Sequence, residues 1–587
     1  MTQRSAPAAT AVPPPPAVRV WRPGVGVSAL LGVVAVGLTL GLAELLAALG
    51  WWSGLLDPAA SPVASLGAGF IELTPEWLKR FAIDTFGEHD KTALRIGMGV
   101  TLVVVAVAVG LLGRRSPRSA ATVAGALTAV AVAAVVTRPS ASAVDAVPTV
   151  AGGLAGIALL IGALRRTVLT RDQVTEIERT RRGVPPTGTT PEPAAGRSPD
   201  PADRAVFTGA RHPMSRAGSG AAQVRPGVDR RRFLLLAGTG ALVATAAGGL
   251  ARWVPSGADV MASRAALALP PVVDALPVPG TPVVVDGVTP FVTPADAFYR
   301  VDTAFTVPQL TAEDWRLRVH GRVGRTVELS FADLLAMPAV ERTITLTCVS
   351  NEVGGNLVGT ARWQGVRLAD VLALAGVGGG PGGEPDAPDC VLSTSVDGFT
   401  VTTPLDALLD GRDALLAYGM NGDPLPQEHG FPVRMVVPGL YGYVSATKWV
   451  VDLELTRFQD VSAYWTDRGW AAQAPIKTSS RIDVPRGFAQ LPPGEVVVAG
   501  VAWAQHRGIT AVQVQIDDGD WQDAELSDAF TVDTWRQWVF RWDARPGPHV
   551  VRCRAVDGSG VVQTADRVGT LPDGSTGLDS RQVTVTA

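Results

Sequence analysis

The chain has 587 residues, of which 47% are apolar and 18% charged, and its mean hydropathy is +0.22. Soluble globular proteins carry about 25% charged residues, so this composition predicts that part of the chain lies in lipid. The net charge of −3 gives no support to a nucleic-acid-binding protein. Three cysteines are too few for a disulfide-stapled scaffold or a four-cysteine zinc or iron–sulfur site.

Five apolar runs, four of them near the N-terminus, are long enough to cross a membrane. A hydrocarbon core of about 30 Å needs roughly 20 helical residues at 1.5 Å each. The uncharged runs cover residues 24–43, 96–113, 119–137, 146–164 and 233–251. Their number disfavours the alternative of buried helices in a soluble protein. We therefore expect about five transmembrane helices, the first four forming a membrane module over residues 1–166.

The residues beside these runs predict how the module is oriented. Arginines precede the first run, separate the second from the third and follow the fourth, whereas the loop after the first run is acidic and aromatic. The positive-inside rule then places the N-terminus in the cytoplasm. The five runs lack histidine and buried charge, Glu44 at a helix end excepted, so we expect neither a transmembrane haem nor an ion path. The module is interpreted as an anchor in membrane lipid.

Two segments connect this module to the rest of the chain. Residues 167–229 are rich in Pro, Gly, Thr and Ala without a regular period, which predicts a disordered cytoplasmic linker. Residues 230–254 begin with RRRFL, which resembles an internal twin-arginine export signal, and continue into the fifth transmembrane helix. The same arginines also fit a plain positive-inside anchor. In either case the remainder of the chain is expected on the outer side.

The second half has the patterns of two soluble domains. Residues 255–475 mix alternating strands, such as RTITLTC at 342–348, with short helices such as LADVLAL at 368–374, which indicates an α+β domain. Residues 476–587 show strand-like segments every 10 to 15 residues and no helical pattern. That spacing predicts a β-sandwich of immunoglobulin type.

Cys348 is the main candidate for chemistry. It ends a predicted strand and opens the Gly- and Asn-rich loop CVSNEVGGNLVG, which leaves room for a metal or a substrate. From this feature alone, a purely structural role for Cys348 is an equally supported alternative. Cys390 and Cys553 are interpreted as structural residues, and a disulfide between them stays an open alternative.

Four motifs follow Cys348 in order: TARWQGVRLADVL at 360–372, MNGDPLP at 420–426, HGFPVR at 429–434, and Lys448-Trp449. This order resembles the sulfite oxidase family of molybdopterin-dependent oxidoreductases, in its membrane-anchored bacterial type. The resemblance covers about residues 297 to 470, and the C-terminal sandwich is similar to the dimerisation domain of that family. The resemblance implies a protein of the bacterial cytoplasmic (inner) membrane that carries a molybdenum–molybdopterin cofactor and no haem in this chain. It also leaves a homodimer as one option.

The resemblance also assigns residue roles. It makes Cys348 the single thiolate ligand of molybdenum, since soft sulfur suits this metal. Arg434 matches a phosphate-binding position, for which a guanidinium is suited by its forked donors. The remaining cofactor-binding candidates are Arg300, His429, Tyr443, Ser445 and Lys448.

Three positions depart from the sulfite oxidase pattern. Glu352 and Val353 stand where sulfite oxidases carry arginines, and Trp470 replaces an active-site tyrosine. Arg362 is a catalytic candidate that could partly replace the missing cations, although a surface arginine is the alternative. A dianion beside a carboxylate is disfavoured, so these departures predict a neutral or less charged substrate in place of sulfite.

The resulting hypothesis is a membrane-anchored oxidoreductase that transfers an oxygen atom to or from a small sulfur-containing or similar substrate, with two electrons exchanged with a separate protein such as a cytochrome. One alternative is a sulfoxide reductase supplied by a membrane electron donor. Another is an exported binding or scaffold protein that has lost the cofactor. A transporter is disfavoured by the few, uncharged helices.

Overall fold

The structure is a computed structural model that describes residues 24–53, 55–56, 60–74, 90–138, 141–165, 257–274, 283–304, 306–377 and 387–586. The predicted linker at 167–229, the twin-arginine-like stretch and the fifth apolar run at 230–254 lie outside these residues. The chain divides into two compact units, one containing most of the N-terminal helices and the other the C-terminal half.

The N-terminal part is helical. Its helices are α1 (Val25–Trp52), α2 (Pro62–Leu73), α3 (Asp90–Arg115), α4 (Pro117–Val136) and α5 (Val147–Arg165). Within the described residues, four segments are long and apolar enough to cross a membrane: α1, α3, α4, and α5 with the short 3-10 turn that precedes it. These coincide with the first four predicted runs. Helix α2 is shorter and begins at Pro62, capped by the Ser61 side chain.

Small residues allow the long helices to pack closely. A Cβ atom on Gly32 of α1 would lie 2.0 Å from the carbonyl oxygen of Ala106 in α3. A Cβ atom on Gly156 of α5 would lie 1.9 Å from Thr39 Oγ1 of α1. Neither position has room for a side chain, so the backbones of α1, α3 and α5 approach each other as in small-residue membrane interfaces.

The first part of the C-terminal half contains two sheets and short helices. Its elements are α6 (Gly257–Ala266), β1 (Arg316–Gly321), β2 (Val327–Ser330), α7 (Phe331–Leu335), β3 (Val340–Thr347), β4 (Val358–Arg367), α8 (Leu368–Leu374), β5 (Cys390–Ser395), β6 (Thr400–Pro404), α9 (Asp406–Leu409), β7 (Leu415–Met420), β8 (Asp423–Pro424), β9 (Arg434–Val436) and β10 (Val450–Thr456). One sheet has the order β2-β1-β10-β5-β6, and the other has the order β3-β4-β7-β8 with β9 paired to β7. Strands β1 and β10 are parallel and the other neighbours are antiparallel.

The remainder, which we call the C-terminal β region, consists of strands. These are β11 (Ser479–Val484), β12 (Gln490–Leu491), β13 (Gly494–Trp503), β14 (Ile509–Ile516), β15 (Gln522–Asp523), β16 (Glu525–Leu526), β17 (Arg536–Ala544), β18 (Gly547–Asp557) and β19 (Asp579–Val585). They form two sheets, β11-β13-β17-β16 and β12-β19-β18-β14-β15. Apolar residues of both sheets share one core, including Val498, Val514 and Trp538. The expected β-rich C-terminus is therefore present.

The C-terminal β region is joined to the preceding sheets by buried contacts. Trp503 and Trp535 belong to the apolar core of the preceding sheets. Gln505 Nε2 donates to the carbonyl oxygen of Thr345 at 2.9 Å, and Trp535 N donates to Thr345 Oγ1 at 2.8 Å. Thr345 lies on β3, the strand that leads into Cys348. The C-terminal β region therefore supports the strand that positions the candidate site.

Candidate active site

One cleft collects four of the eight predicted site residues. It encloses about 900 Å³, counting its open mouth. Cys348 lies in its lining together with Arg434, Tyr443, Lys448 and Trp470. These residues come from three separate stretches of chain, so the fold brings together what the sequence order predicted.

Cys348 follows the last residue of β3 and is half-buried with a free thiol. Its backbone N–H donates to the carbonyl oxygen of Leu357 at 2.9 Å. Its Sγ accepts a long contact from the backbone N–H of Ser350 at 3.4 Å. Burial raises the pKa of the Cys348 thiol. The thiolate therefore needs a strong partner in the cleft, and a bound metal provides one.

The loop after Cys348 is held at several points. Asn351 Oδ1 accepts from the Leu357 backbone N–H at 2.8 Å, and the Asn351 carbonyl accepts from Ser575 Oγ at 2.7 Å. Gly354 has a φ of 77°, and a Cβ there would lie 2.5 Å from Asp579 Oδ1. The glycine in this loop is thus required by close contact with the C-terminal β region.

Arg434 opens β9 and is buried at 4% exposure. Its Nη1 donates to the carbonyl oxygen of His429 at 3.1 Å, and its Cζ lies 4.9 Å above the Trp363 ring. Among the described residues it has no carboxylate partner. Burial lowers the pKa of Arg434 to about 10. A buried guanidinium without a carboxylate partner favours the binding of an anion in the cleft.

His429 lies in a short helical turn, Gln427–His429, beside Arg434. Its Nε2 is 2.9 Å from the carbonyl oxygen of Ala295, which makes Nε2 the donor. Its Nδ1 is buried and has no hydrogen-bond partner among the described residues. Burial, reinforced by Lys448 and Arg434, lowers the pKa of His429 to about 4. The imidazole is therefore neutral at pH 7 and presents a free acceptor.

Lys448 is the second cation of the cleft. Its Nζ donates to Asp302 Oδ2 at 3.2 Å and to the carbonyl oxygen of Glu428 at 2.9 Å. Burial lowers the pKa of Lys448 to about 8. Asp302 also accepts from Arg300 Nε at 2.9 Å. Arg300 itself is 38% exposed and is not in the cleft lining, and among the described residues its link to the site is the ion pair with Asp302.

The candidates Tyr443 and Ser445 differ in whether they line the cleft. Tyr443 lines the cleft with its ring, and its hydroxyl donates to the carbonyl oxygen of Ala471 at 2.7 Å. Ser445 is fully buried, and its Oγ donates to the carbonyl oxygens of Leu440 and Tyr441. Ser445 is not in the cleft lining and supports the loop that carries Tyr443 and Lys448.

Arg362 lies outside the described cleft lining, at an exposed position of β4. Its side chain is 44% exposed, with Nη2 donating to the carbonyl oxygen of Asn421 at 3.2 Å and Nη1 3.7 Å from Glu341. It projects from the one exposed position of β4. The surface alternative therefore describes where Arg362 lies.

Glu352 and Val353 also lie outside the cleft lining, and Glu352 is exposed. The structure therefore places the Glu352 carboxylate outside the cleft, because the part of this loop that lines the cleft ends at Ser350. The described lining contains two carboxylates, Asp302 and Asp397, which the sequence analysis missed. Asp397-Gly398 is a turn signal between β5 and β6, but nothing in the sequence places that turn at the cleft.

The other cysteines are buried in different sheets. Cys390 begins β5 and Cys553 lies in β18, and both are free. No disulfide joins them in this structure, which agrees with the structural interpretation.

Comparison with known proteins identifies the family. The chain matches the family model described as "Oxidoreductase molybdopterin binding domain" over residues 304–465. It is 32% identical over 321 residues to the mitochondrial sulfite oxidase of Rattus norvegicus, covering 46% of this chain and 57% of that protein. It is 31% identical over 330 residues to the sulfite oxidase of Gallus gallus, covering 46% of this chain and 68% of that protein. The chain belongs to the sulfite oxidase family.

A solved structure is also similar to this sulfite oxidase family member. The sulfane dehydrogenase SoxCD from Paracoccus pantotrophus matches with a TM-score of 0.44 and 22% identity, over 52% of this chain and 90% of that chain. The chain spans little more than half the length of the rat relative. Family membership confirms the predicted resemblance and the molybdopterin-binding oxidoreductase domain.

The cleft of this sulfite oxidase family member fits an anionic pterin cofactor. Arg434 is a buried cation without a carboxylate, and Lys448 is a second buried cation whose pKa is lowered. The free Nδ1 of His429 can accept a hydrogen bond from a pterin N–H. Arg434 and Lys448 line the cleft together with Cys348, whereas His429 lies next to Arg434 and is not among the lining residues.

Proposed function

We propose that the chain is a membrane-anchored molybdenum oxidoreductase that catalyses two-electron oxygen-atom transfer on a small sulfur-containing or similar substrate outside the cytoplasmic membrane of a bacterium. The observation that carries this proposal is the meeting of the Cys348 thiol with the buried cations Arg434 and Lys448 in one cleft. The similarity of the chain to sulfite oxidases supports it.

In this proposal Cys348 supplies the single protein thiolate to molybdenum. Arg434 and Lys448 neutralise the cofactor phosphate, and neutral His429 accepts a pterin hydrogen bond. Tyr443 forms a wall of the cavity, while Ser445 and Arg300 act indirectly, through the loop that holds Lys448 and through Asp302. When bound, the cofactor supplies a metal that accepts or donates two electrons and one oxygen atom.

The balanced reaction in the oxidising direction consumes the substrate and one water, and yields the oxygenated product, two protons and two electrons. The electrons pass to a separate carrier, for which a cytochrome is the proposed class. In the reducing direction a sulfoxide-type substrate loses its oxygen as water, and a membrane electron donor supplies the electrons. Both directions use the same residues of this chain.

The charges of the cleft support a neutral substrate over sulfite. Arg434 and Lys448 are the cations in the described lining, and both are assigned to the cofactor. Asp397 adds a carboxylate that has no cationic partner among the described residues, whereas Asp302 is paired with Lys448 and Arg300. A dianion near a carboxylate loses on the order of 1 kcal/mol in water at 4 Å, and several times more at an effective dielectric of about 20. We propose that sulfite is a poor substrate for this reason.

The membrane part of the proposal rests on the helices and their flanking charges. Four segments can span by length and composition, and Arg114 and Arg115 end α3 directly before α4. The positive-inside rule supports a cytoplasmic position for that turn. We further propose that the domains follow one another in this order: membrane module, linker, export segment with a fifth helix, catalytic domain and immunoglobulin-like sandwich. The sandwich is proposed to form a homodimer.

The test is metal and pterin analysis of the full chain made in a host that synthesises the cofactor. We expect about one molybdenum per chain in the wild type, as a single-cysteine site implies. Arg434→Gln should lose most of the molybdenum and pterin, because the variant lacks the buried cation that pairs with the cofactor phosphate. Arg362→Gln is the matched control outside the cleft and should retain both. Wild-type protein without molybdenum would contradict the proposal.

A further inference from the structure

The cleft has an aromatic side that the proposed cofactor contacts do not explain. Phe399, Tyr443, Tyr464, Trp465 and Trp470 form a continuous series of ring contacts, which we call the aromatic wall. Successive ring centroids are separated by 5.4 Å for Phe399–Tyr464, 5.0 Å for Tyr464–Trp465, 6.1 Å for Trp465–Trp470 and 5.6 Å for Trp470–Tyr443. Four of these five rings, all except Tyr464, line the cleft.

A carboxylate without a cationic partner lies in the same lining. Asp397 sits in the turn between β5 and β6 and accepts a long contact from the Phe399 backbone N–H at 3.4 Å. Within the described residues no Lys, Arg or His forms an ion pair with it. Asp302, the other carboxylate of the lining, is already paired with Lys448 and Arg300. Burial and the nearby Asp302 raise the pKa of Asp397, and a bound cation would favour its ionised form. Asp397 therefore offers a carboxylate without a described cationic partner next to Phe399, at one end of the aromatic wall.

The aromatic wall already binds a cation on one of its members. Arg468 Cζ lies 3.7 Å above the Tyr464 ring, and its Nη1 donates to the Tyr464 carbonyl oxygen at 2.5 Å. Aromatic faces attract cations through their quadrupole, and boxes of such rings recognise quaternary ammonium groups. The rings that face the cleft offer the same kind of surface to a ligand.

We propose that this side of the cleft binds the organic cation of the substrate, an alkylammonium or quaternary ammonium group carried by the same molecule as the sulfur atom that gains or loses oxygen. The inference rests on the proposed function, because Arg434 and Lys448 must be assigned to the cofactor for the remaining charge to be negative. Asp397 supplies the counter-charge and the aromatic wall supplies the cation–π contacts. The structure thereby favours a cationic over an anionic sulfur compound.

The test measures binding apart from turnover. Tetramethylammonium is titrated into the full chain in detergent by calorimetry, with methanesulfonate as the anionic counterpart. We expect saturable binding of tetramethylammonium and none of methanesulfonate. Asp397→Asn and Trp470→Leu should each weaken the cation about five- to thirtyfold, the range given by about 1 to 2 kcal/mol of lost attraction. Asp423→Asn, an exposed carboxylate outside the cleft, should leave binding unchanged.

A second measurement compares turnover of two matched sulfoxides with a reduced dye, one carrying a trimethylammonium group and the other a sulfonate. The cationic sulfoxide should have the lower KM, and Asp397→Asn should remove most of that difference. Equal binding of both probe ions, or an unchanged affinity in both cleft variants, would overturn the inference. Molybdenum is measured on the same samples, so absence of the cofactor with intact cation binding would count against the proposed function alone.

Discussion

At the scale of single residues, the cleft contains buried positive charge that a bound anion would neutralise. Arg434 and Lys448 are buried, and burial lowers the pKa of each. Lys448 is paired with Asp302, whereas Arg434 has no carboxylate partner among the described residues, and a buried charge without a partner destabilises a folded protein. A cofactor phosphate removes this penalty, and ligands that bind only the native state raise its stability.

Removal of the cofactor should therefore lower thermal stability. At a cofactor concentration of 1,000 times Kd the stabilisation is about 4 kcal/mol. We expect protein from a host that lacks cofactor synthesis to unfold at a lower temperature than loaded protein, measured by calorimetry in detergent. In Arg434→Gln the difference between the two preparations should shrink. Identical melting of loaded and cofactor-free wild type would count against an anion at this site.

Cys348→Ser provides the direct test of the metal ligand. A hydroxyl is a hard, weakly acidic ligand compared with a thiolate, so turnover should fall at least about 100-fold, or close to 3 kcal/mol of transition-state stabilisation. The measurement is steady-state turnover with an artificial electron acceptor or donor, together with molybdenum content. Cys390→Ser changes a buried cysteine outside the cleft and should retain turnover. Full activity of Cys348→Ser would exclude the thiolate role.

Sequence order was enough to predict that Cys348, Arg434 and Lys448 lie near one another, and they share one cleft lining; their roles stay predictions. It was not enough for Arg362 or Glu352. The outcome at those positions depends on which way a strand and a loop face, and here β4 exposes Arg362 while the loop turns Glu352 outward. Asp397 was missed because the turn between β5 and β6 is placed by the long-range pairing of β5 with β10.

At the scale of elements, apolar runs predicted the long helices well but not their ends. The first run was ended before Glu44, whereas α1 continues to Trp52. One carboxylate does not stop a helix when the residues after it, LLAALGWW, are good helix formers or apolar. Helix α2 was missed although Ser61-Pro62 is a regular N-terminal signal, because its 12 residues are too few to span a membrane.

A surface pair between two strand ends of the C-terminal β region gives a pH-dependent prediction. His549 Nδ1 lies 2.8 Å from Asp517 Oδ2, and this hydrogen bond raises the pKa of His549. A raised pKa stabilises the fold at pH values below the unfolded pKa of about 6.5. That contribution is lost as the pH rises through the folded pKa.

We expect the free energy of unfolding of the wild type, relative to His549→Gln, to decrease by about 0.5 to 1 kcal/mol as the pH rises from about 6 to 9, since solvent screens this partly exposed pair. Chemical denaturation at several pH values measures it. Asp517→Asn should remove most of the same dependence. A difference that grows with pH would contradict the sign.

At the scale of the whole molecule, the C-terminal β region braces the loop that presents Cys348. Arg481 Nη1 donates to the Gly355 carbonyl oxygen at 2.9 Å, and Ser575 Oγ donates to the Asn351 carbonyl oxygen at 2.7 Å. Both acceptors lie within a few residues of Cys348. The β region therefore contributes to the site without lining it.

Arg481→Gln should loosen this brace and lower kcat about tenfold, because small displacements of a catalytic group cost one to two orders of magnitude. Molybdenum content should stay unchanged, since Arg481 is outside the cleft. Arg541→Gln is the matched control, a 59% exposed arginine of the same region. Steady-state kinetics and metal analysis on both variants separate a loss of positioning from a loss of cofactor.

The position of the catalytic half relative to the membrane can be tested with a reporter fused after Ala587. Arg114 and Arg115 at the end of α3 indicate a cytoplasmic turn between α3 and α4. The RRRFL sequence at 230–234, outside the described residues, resembles a signal for export of folded protein, which suits a domain that receives its cofactor before crossing. We expect a reporter that is active only outside the cytoplasm to give signal.

The paired change Arg230→Lys and Arg231→Lys should abolish that signal. The paired change Arg4→Lys and Arg19→Lys is the control, because it alters arginines outside the motif, and it should preserve the signal. A fusion active only in the cytoplasm would reverse the topology, and export that survives the Arg230 and Arg231 changes would leave the positive-inside anchor as the explanation of these arginines.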